Sequence, residues 1–256
     1  MALLEIRDLY RSFYGVRALE GARLSVAEGT ITGLIGPNGA GKTTLFNCIS
    51  GLIPPDRGTI VFAGTEITGW RPDRIVALGL TRTFQIARGF PTLSVFENLM
   101  LYGPHQPGEG LAAAVLGNSA AAAREQVLAR RALEIAERLR LTGLLNNPAS
   151  ALSGGQKKLL ELGRALMAEP KLILLDEPIA GVNPTLANEI AVHLQDLRSE
   201  GITCLVIEHH MDMISRLCDP VIVMAEGRHL AEGGFVEIAA DPSVQEAYMG
   251  RRRWAS

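Results

Sequence analysis

The sequence contains no apolar run of the roughly 18 residues that a membrane crossing requires. The longest candidate, residues 111–123, is interrupted by Gly117, Asn118 and Ser119. Residues 1–5 lack the basic start and long apolar core of a signal peptide. A soluble, cytoplasmic chain is therefore expected. Cysteine is scarce, with Cys48, Cys204 and Cys218 far apart. An odd count without Cys-x-x-Cys argues against a disulfide scaffold or a zinc site, and apolar packing is the expected role of each. Neither sign of charge dominates: 25 Lys+Arg against 27 Asp+Glu leave a net −2. That excludes a broadly basic nucleic-acid coat, although a local basic patch stays open. Charged residues make up 20 % and hydrophobic residues 47 %, which excludes disorder and supplies a full core.

Short apolar stretches ending in glycine turns alternate with helical patterns. Residues 3–13 and 18–27 are predicted strands around a turn at Gly15. Residues 30–35 are apolar and β-prone, and lead through a glycine loop into a helix expected over 42–50. Pro54, Pro55 and Gly58 break the chain, and residues 58–64 read as another strand or hairpin arm. Gly103, Pro104, Pro107, Gly108 and Gly110 mark a loop-rich stretch, followed by an alanine-rich segment. Apolar residues at 127, 128, 132, 133, 135, 136 and 139 predict an amphipathic helix over 124–140. Residues 86–150 thus read as a mostly helical insertion in an α/β core. Residues 172–175 and 204–207 have the unbroken apolar character of strands covered on both faces. The helix expected over 185–200 lies between them, giving a βαβ rhythm and a largely parallel sheet. For the terminal Arg251, Arg252 and Arg253, a solvated tail is the expectation and contact with anionic lipid the alternative.

Three motifs carry chemistry. Gly36-Pro37-Asn38-Gly39-Ala40-Gly41-Lys42-Thr43 fits G-x-x-x-x-G-K-[ST] in full, between a predicted strand and a predicted helix. Successive backbone N–H groups in such a loop form an anion nest at a helix N-terminus. Lys42 is expected to reach the β- and γ-phosphates, Thr43 to ligate Mg²⁺, and Thr44 to add a phosphate contact. Asp176 and Glu177 follow four apolar residues. At the end of a buried strand, Asp176 is suited to hold Mg²⁺ and Glu177 to orient or deprotonate an attacking water. Leu152-Ser153-Gly154-Gly155-Gln156 precedes a helix that Ser153 is placed to cap, presenting a second set of N–H groups to an anion.

In this order the motifs resemble the ATP-binding cassette subunits of ABC transporters, over about residues 3–250. The resemblance implies a P-loop NTPase α/β fold, with a mostly parallel sheet, an N-terminal antiparallel β subdomain and a helical insertion. It implies a single ABC ATPase domain over 1–256. Residues 1–85 and 151–256 would form the nucleotide-binding core with its β subdomain, and 86–150 the helical subdomain. It also implies ATP and Mg²⁺ as ligands and a second cassette, identical or paralogous, as partner. Ser153, Gly154, Gly155 and Gln156 of one subunit would close over the γ-phosphate held by the other. By motif order, Gln85 corresponds to the glutamine that touches Mg²⁺ or the water and senses the membrane subunit. His209 corresponds to the switch histidine on the γ-phosphate; His210 stands where related chains commonly carry Asp, so the register of the pair is ambiguous. Phe13 corresponds to the aromatic that stacks on adenine, with Tyr14 as the alternate. Ala180-Gly181-Val182-Asn183-Pro184 corresponds to the D-loop, with the neutral Asn183 where many cassettes have Asp.

Gly79-Leu80-Thr81-Arg82-Thr83-Phe84-Gln85 and Leu93-Ser94-Val95-Phe96-Glu97-Asn98-Leu99 are similar to the larger ATP-binding subunit of branched-chain amino-acid importers. Glu177-Pro178-Ile179-Ala180-Gly181-Val182-Asn183-Pro184, Ile207-Glu208-His209-His210-Met211-Asp212, and the ending Glu232-Gly233 followed by Ala247-Tyr248-Met249-Gly250 are similar too. The similarity implies transmembrane permease partners, no nucleic acid, and a peripheral place on the inner face of the cell membrane. Phe90, Pro91 and Phe96 would meet the permease. Cassettes of urea, amide, aromatic-acid or lipopolysaccharide systems, and a soluble non-transport ABC ATPase, are the alternatives.

Overall fold

The computed structural model describes residues 2–83, 90–104 and 119–249. Its elements fall into two compact units. The first comprises residues 1–82, 171–178 and 191–256, and the second residues 83–170 and 179–190.

In the first unit, β1 (Ala2–Phe13) and β2 (Val16–Ala27) form an antiparallel hairpin. Its two-residue turn, Tyr14 and Gly15, holds φ of 47° and 87°. Positive φ at both positions is what matches the twist of the flanking strands. β4 (Arg57–Phe62) and β5 (Thr65–Glu66) extend this to an antiparallel sheet ordered β2-β1-β4-β5.

A second sheet is ordered β10-β9-β3-β8-β7-β6. It contains β3 (Ile31–Ile35), β6 (Leu80–Arg82), β7 (Leu172–Asp176), β8 (Thr203–Ile207), β9 (Val221–Ala225) and β10 (Arg228–Gly233). Five strands run parallel, and β10 pairs antiparallel with β9 at one edge. Every residue of β3, β7 and β8 is buried. Their unbroken apolar runs therefore have a direct cause: helices or a second sheet cover both faces. Gly33 is the exception to bulk in β3. A Cβ there would lie 3.0 Å from the Cys218 Cβ and 3.3 Å from the Ile214 side chain, so that layer packs on the strand at glycine distance. On the opposite face, Leu34, Leu174, Leu205 and Ile207 join one core with Leu45, Phe46 and Ile49 of α1 (Lys42–Ile49) and with the antiparallel sheet. The expected architecture, a mostly parallel sheet with an N-terminal antiparallel one, is the architecture observed. Helices α2 (Pro72–Ala77), α7 (Met211–Leu217), α8 (Phe235–Ala240) and α9 (Pro242–Met249) complete the unit.

The second unit is built on α3 (Val95–Met100), α4 (Ser119–Arg138) and α5 (Gly154–Met167). The helix expected over 124–140 starts earlier, at Ser119. Ala120–Ala123 have the highest intrinsic helix propensity and extend the pattern without adding periodicity. Gly163 lets α5 approach its neighbours, because a Cβ there would lie 2.9 Å from Leu99 and 3.1 Å from Leu139. Helix α6 (Pro184–Ser199) begins in this unit, and its residues from Ala191 onward belong to the first.

Candidate nucleotide site

The glycine loop leaves β3 at its C-terminal end and opens α1. Gly36 has φ 149°, and a Cβ there would lie 2.1 Å from the Met224 carbonyl oxygen. Gly41 has φ 97°, and a Cβ would meet the Ala18 carbonyl oxygen at 2.4 Å. Both positions require glycine for backbone conformation and for space. Gly41 is the N-cap of α1 and offers no side-chain cap, so the first-turn N–H groups are presented to the loop. Pro37, Asn38, Gly39 and Ala40 span the turn, with Ala40 N–H bonded to the Pro37 carbonyl at 3.2 Å. Lys42 folds back across it and donates to the Gly36 carbonyl at 2.6 Å and the Pro37 carbonyl at 3.0 Å. Burial pushes the Lys42 ammonium below its ordinary pKa, against the opposing pull of Glu177 and Asp176. Thr43 is exposed and Thr44 half-buried at the start of the helix.

Asp176 and Glu177 lie at the C-terminal end of β7, on the loop side of the sheet. Asp176 is 3 % exposed, and its Oδ2 accepts from Arg82 Nη2 at 2.9 Å. The same guanidinium donates to Asn47 Oδ1 at 2.7 Å, tying the end of β6 to α1. Sequence reasoning assigned Arg82 no role. The signal was absent locally, because β6 is too short to show a pattern and the carboxylate that the buried cation needs lies 94 residues away. Glu177 has φ 50°, its N–H bonds the Ile207 carbonyl at 2.9 Å, and its Oε1 lies 3.2 Å from His209 Nε2. Two adjacent parallel strands, β7 and β8, thus bring Glu177 and His209 together across a sequence gap of 32 residues.

His210 faces elsewhere: its Nδ1 lies 3.1 Å from Glu208 Oε2. Glu208, 1 % exposed, also accepts the His209 N–H at 3.0 Å and so fixes the turn that aims His209 at Glu177. Phe13, at the end of β1, is half-buried under the Arg11 guanidinium, 4.8 Å from its ring centroid, while Tyr14 is fully exposed. Gln85 lies outside the described residues.

In the second unit, Ser153 caps α5 as the sequence suggested. Its Oγ accepts the Gln156 N–H at 3.3 Å, and Gln156 Oε1 accepts the Ser153 N–H at 2.9 Å, a reciprocal capping box. Beyond Gly154 a Cβ would meet nothing, whereas at Gly155 it would run into the end of the Leu186 side chain. Asn183 Oδ1 accepts the Leu186 N–H at 2.9 Å and caps α6.

Among the described residues no group of three His, Cys, Asp or Glu forms a metal cluster. The Thr43 hydroxyl and the Asp176 carboxylate are hard oxygen donors. One carboxylate and one hydroxyl suit Mg²⁺, which takes its remaining ligands from phosphates and water.

The family model described as "ABC transporter" matches residues 19–180, a span that holds the glycine loop, the capped Ser153 motif and the β7 carboxylates. The chain belongs to the ABC transporter ATP-binding family. Its relatives are similar along their whole length. A probable branched-chain amino acid transport ATP-binding protein of Archaeoglobus fulgidus is 40 % identical over 98 % of this chain and 96 % of its own. The high-affinity branched-chain amino acid transport ATP-binding protein of Pseudomonas aeruginosa is 36 % identical over 97 % and 98 %. The crystal structure of a nucleotide-free ATP-binding cassette from an ABC transporter superposes with a TM-score of 0.84 at 38 % identity. It covers 98 % of this chain and all of that one. This cassette carries no helix among the described residues that is long and apolar enough to cross a membrane.

Proposed function

We propose that this ABC cassette hydrolyses ATP to drive a branched-chain amino-acid type importer, working as one of two cassettes on the inner face of the membrane beneath permease subunits. The observation that carries the reaction is the Glu177–His209 pair at 3.2 Å beside the glycine loop. The loop of residues 36–44 takes the triphosphate: backbone N–H groups hold the β-phosphate, and Lys42 exchanges its two carbonyl partners for phosphate oxygens. Phe13 supplies a face for adenine. Thr43, Asp176 and Gln85 would hold Mg²⁺, which would supply charge neutralisation on the phosphates. Glu177 accepts a proton from the attacking water, and His209 holds Glu177 in place and contacts the γ-phosphate. Ser153, Gly154, Gly155 and Gln156 of the partner cassette complete the site through the first-turn N–H groups of α5 that the capping box does not engage. The cassette is read as one domain, with 1–85 and 151–256 as the nucleotide core and 86–150 as the helical part. ATP shifts the dimer toward closure only by binding the closed state more tightly than the open one.

The cargo assignment follows the full-length similarity to branched-chain amino-acid transport subunits. It is tested by isolating the cassette from detergent-solubilised membranes. Recovery with a multispanning permease and leucine-stimulated ATP turnover support it. Recovery with a permease that responds only to another solute overturns the cargo.

A further inference from the structure

In the second unit a polar network is buried where apolar packing would serve the fold. Asn98, on α3, is fully buried. The two N–H groups of its Nδ2 are shared among the carbonyls of Phe90, Leu93 and Ser94, at 3.0, 3.1 and 2.9 Å. Its Oδ1 accepts from Nη2 of Arg164, which is 6 % exposed and lies on α5, the helix that Ser153 caps. Arg164 has donors only, so it fixes the amide with oxygen toward the guanidinium and nitrogen toward the three carbonyls. The guanidinium stacks 5.6 Å from the Tyr102 ring centroid, with Glu161 one turn earlier on α5.

Backbone hydrogen bonds also tie residues 91–96 to residues 145–150, which lead into α5. Ala149 N–H bonds the Leu93 carbonyl at 2.9 Å, and Ser150 N–H bonds the Pro91 carbonyl at 2.9 Å. Val95 N–H bonds Asn147, and Phe96 N–H bonds Leu145. Residues 145–150 run directly into Ser153. Segment 90–98 is therefore stitched to both the approach to the capped motif and the body of its helix.

We propose that Asn98 and Arg164 are positioning residues that lock segment 90–98 to α5, so that movement of residues 153–156 on ATP binding is carried whole to the surface bearing Phe90 and Phe96. This rests on the ATP-driven closure proposed above. A buried ion or amide often contributes less stability than a well-packed apolar side chain, and its gain is a fixed geometry. Here the fixed geometry is the path of the chain from Phe90 to Ser94.

Asn98→Asp is the diagnostic change. It is isosteric and keeps a partner for Arg164, but it turns a carboxylate oxygen without hydrogens toward three carbonyl oxygens. Hydrogen exchange is measured on the full chain, for the parent, Asn98→Asp and Arg164→Gln. Without nucleotide, the amides of Leu93, Ala149 and Ser150 are expected to exchange at least tenfold faster in both variants. Those of residues 158–166 are expected to stay within twofold in Asn98→Asp. Unchanged exchange at the three amides, or a uniform rise across the unit, overturns the proposal. With ATP and Mg²⁺ in a Glu177→Gln background, residues 93–96 and 153–156 are expected to slow together in the parent. In Asn98→Asp only 153–156 should slow, and joint slowing there also overturns the proposal. If residues 153–156 do not respond even in the parent, the closure reading fails, and the nucleotide-free comparison still decides the lock. Should Asn98→Asp not fold, Arg164→Gln supplies the same comparison.

Discussion

Replacing Arg82 with methionine keeps most of the side-chain volume and removes the cation that Asp176 faces at 2.9 Å. Both side chains are almost fully buried, at 7 % and 3 % exposure, so water cannot take over the role of the guanidinium. The Arg82 bond to Asn47 Oδ1 at 2.7 Å is lost as well, together with its packing 5.5 Å from the Phe46 ring centroid. Breaking a buried pair by removing one partner costs about 3–5 kcal/mol, because the remaining charge is left uncompensated. At about 2–4 °C per kcal/mol for a chain of this size, the melting temperature should fall by about 6–20 °C. Urea unfolding gives the free energy, and a double-mutant cycle identifies its source. Adding Asp176→Asn to Arg82→Met removes the orphaned charge, so the pair should be less destabilised than the sum by about 1–3 kcal/mol. A single-variant loss below about 1 kcal/mol, or additivity in the cycle, would refute the reasoning.

Three further outcomes are expected. Burial pushes Cys48 up to about 11 and Cys204 and Cys218 up to about 12, against a reference of 9.0. Above pH 9 the unfolded state loses thiol protons that the folded state keeps, so stability falls as pH rises toward 11–12. The slope is about 1.4 kcal/mol per pH unit for each thiol, and replacing all three by alanine should flatten urea-unfolding profiles in that window. Asn183→Ala removes the cap of α6 and should destabilise by about 1 kcal/mol, whereas Asn183→Asp should be close to neutral in the same assay. Gly41→Ala drives a Cβ to 2.4 Å from the Ala18 carbonyl oxygen, and equilibrium titration should show at least about tenfold weaker ATP binding from the distorted nest.

Local signals carried most of the fold. The hairpin turn, the fully buried runs of β7 and β8, and the capping box at Ser153 depend on residues within a few positions of one another. What the sequence hid depends on distant partners. Arg82 meets Asp176 across 94 residues, and Arg164 meets Asn98 across 66. Neither pair has a periodicity to betray it. The same holds for Glu208, whose carboxylate sits beneath the two histidines it orders and reads in sequence as an ordinary charge after a strand. The three-residue β6 is too short for an alternating pattern and owes its existence to pairing with β7. Geometry distinguishes the two histidines in a way spacing does not, since His209 lies against Glu177 while His210 turns to Glu208.

Glu177 is proposed to handle the water that attacks ATP. Glu177→Gln keeps the shape of the residue and its neighbour His209 and removes the basic oxygen. Single-turnover hydrolysis, measured alongside ATP-dependent dimer formation by size-exclusion chromatography, tests the claim most directly. The expected result is a loss of about 10²–10⁴ in the hydrolysis rate with ATP-bound dimers retained. Hydrolysis at the parent rate would contradict it.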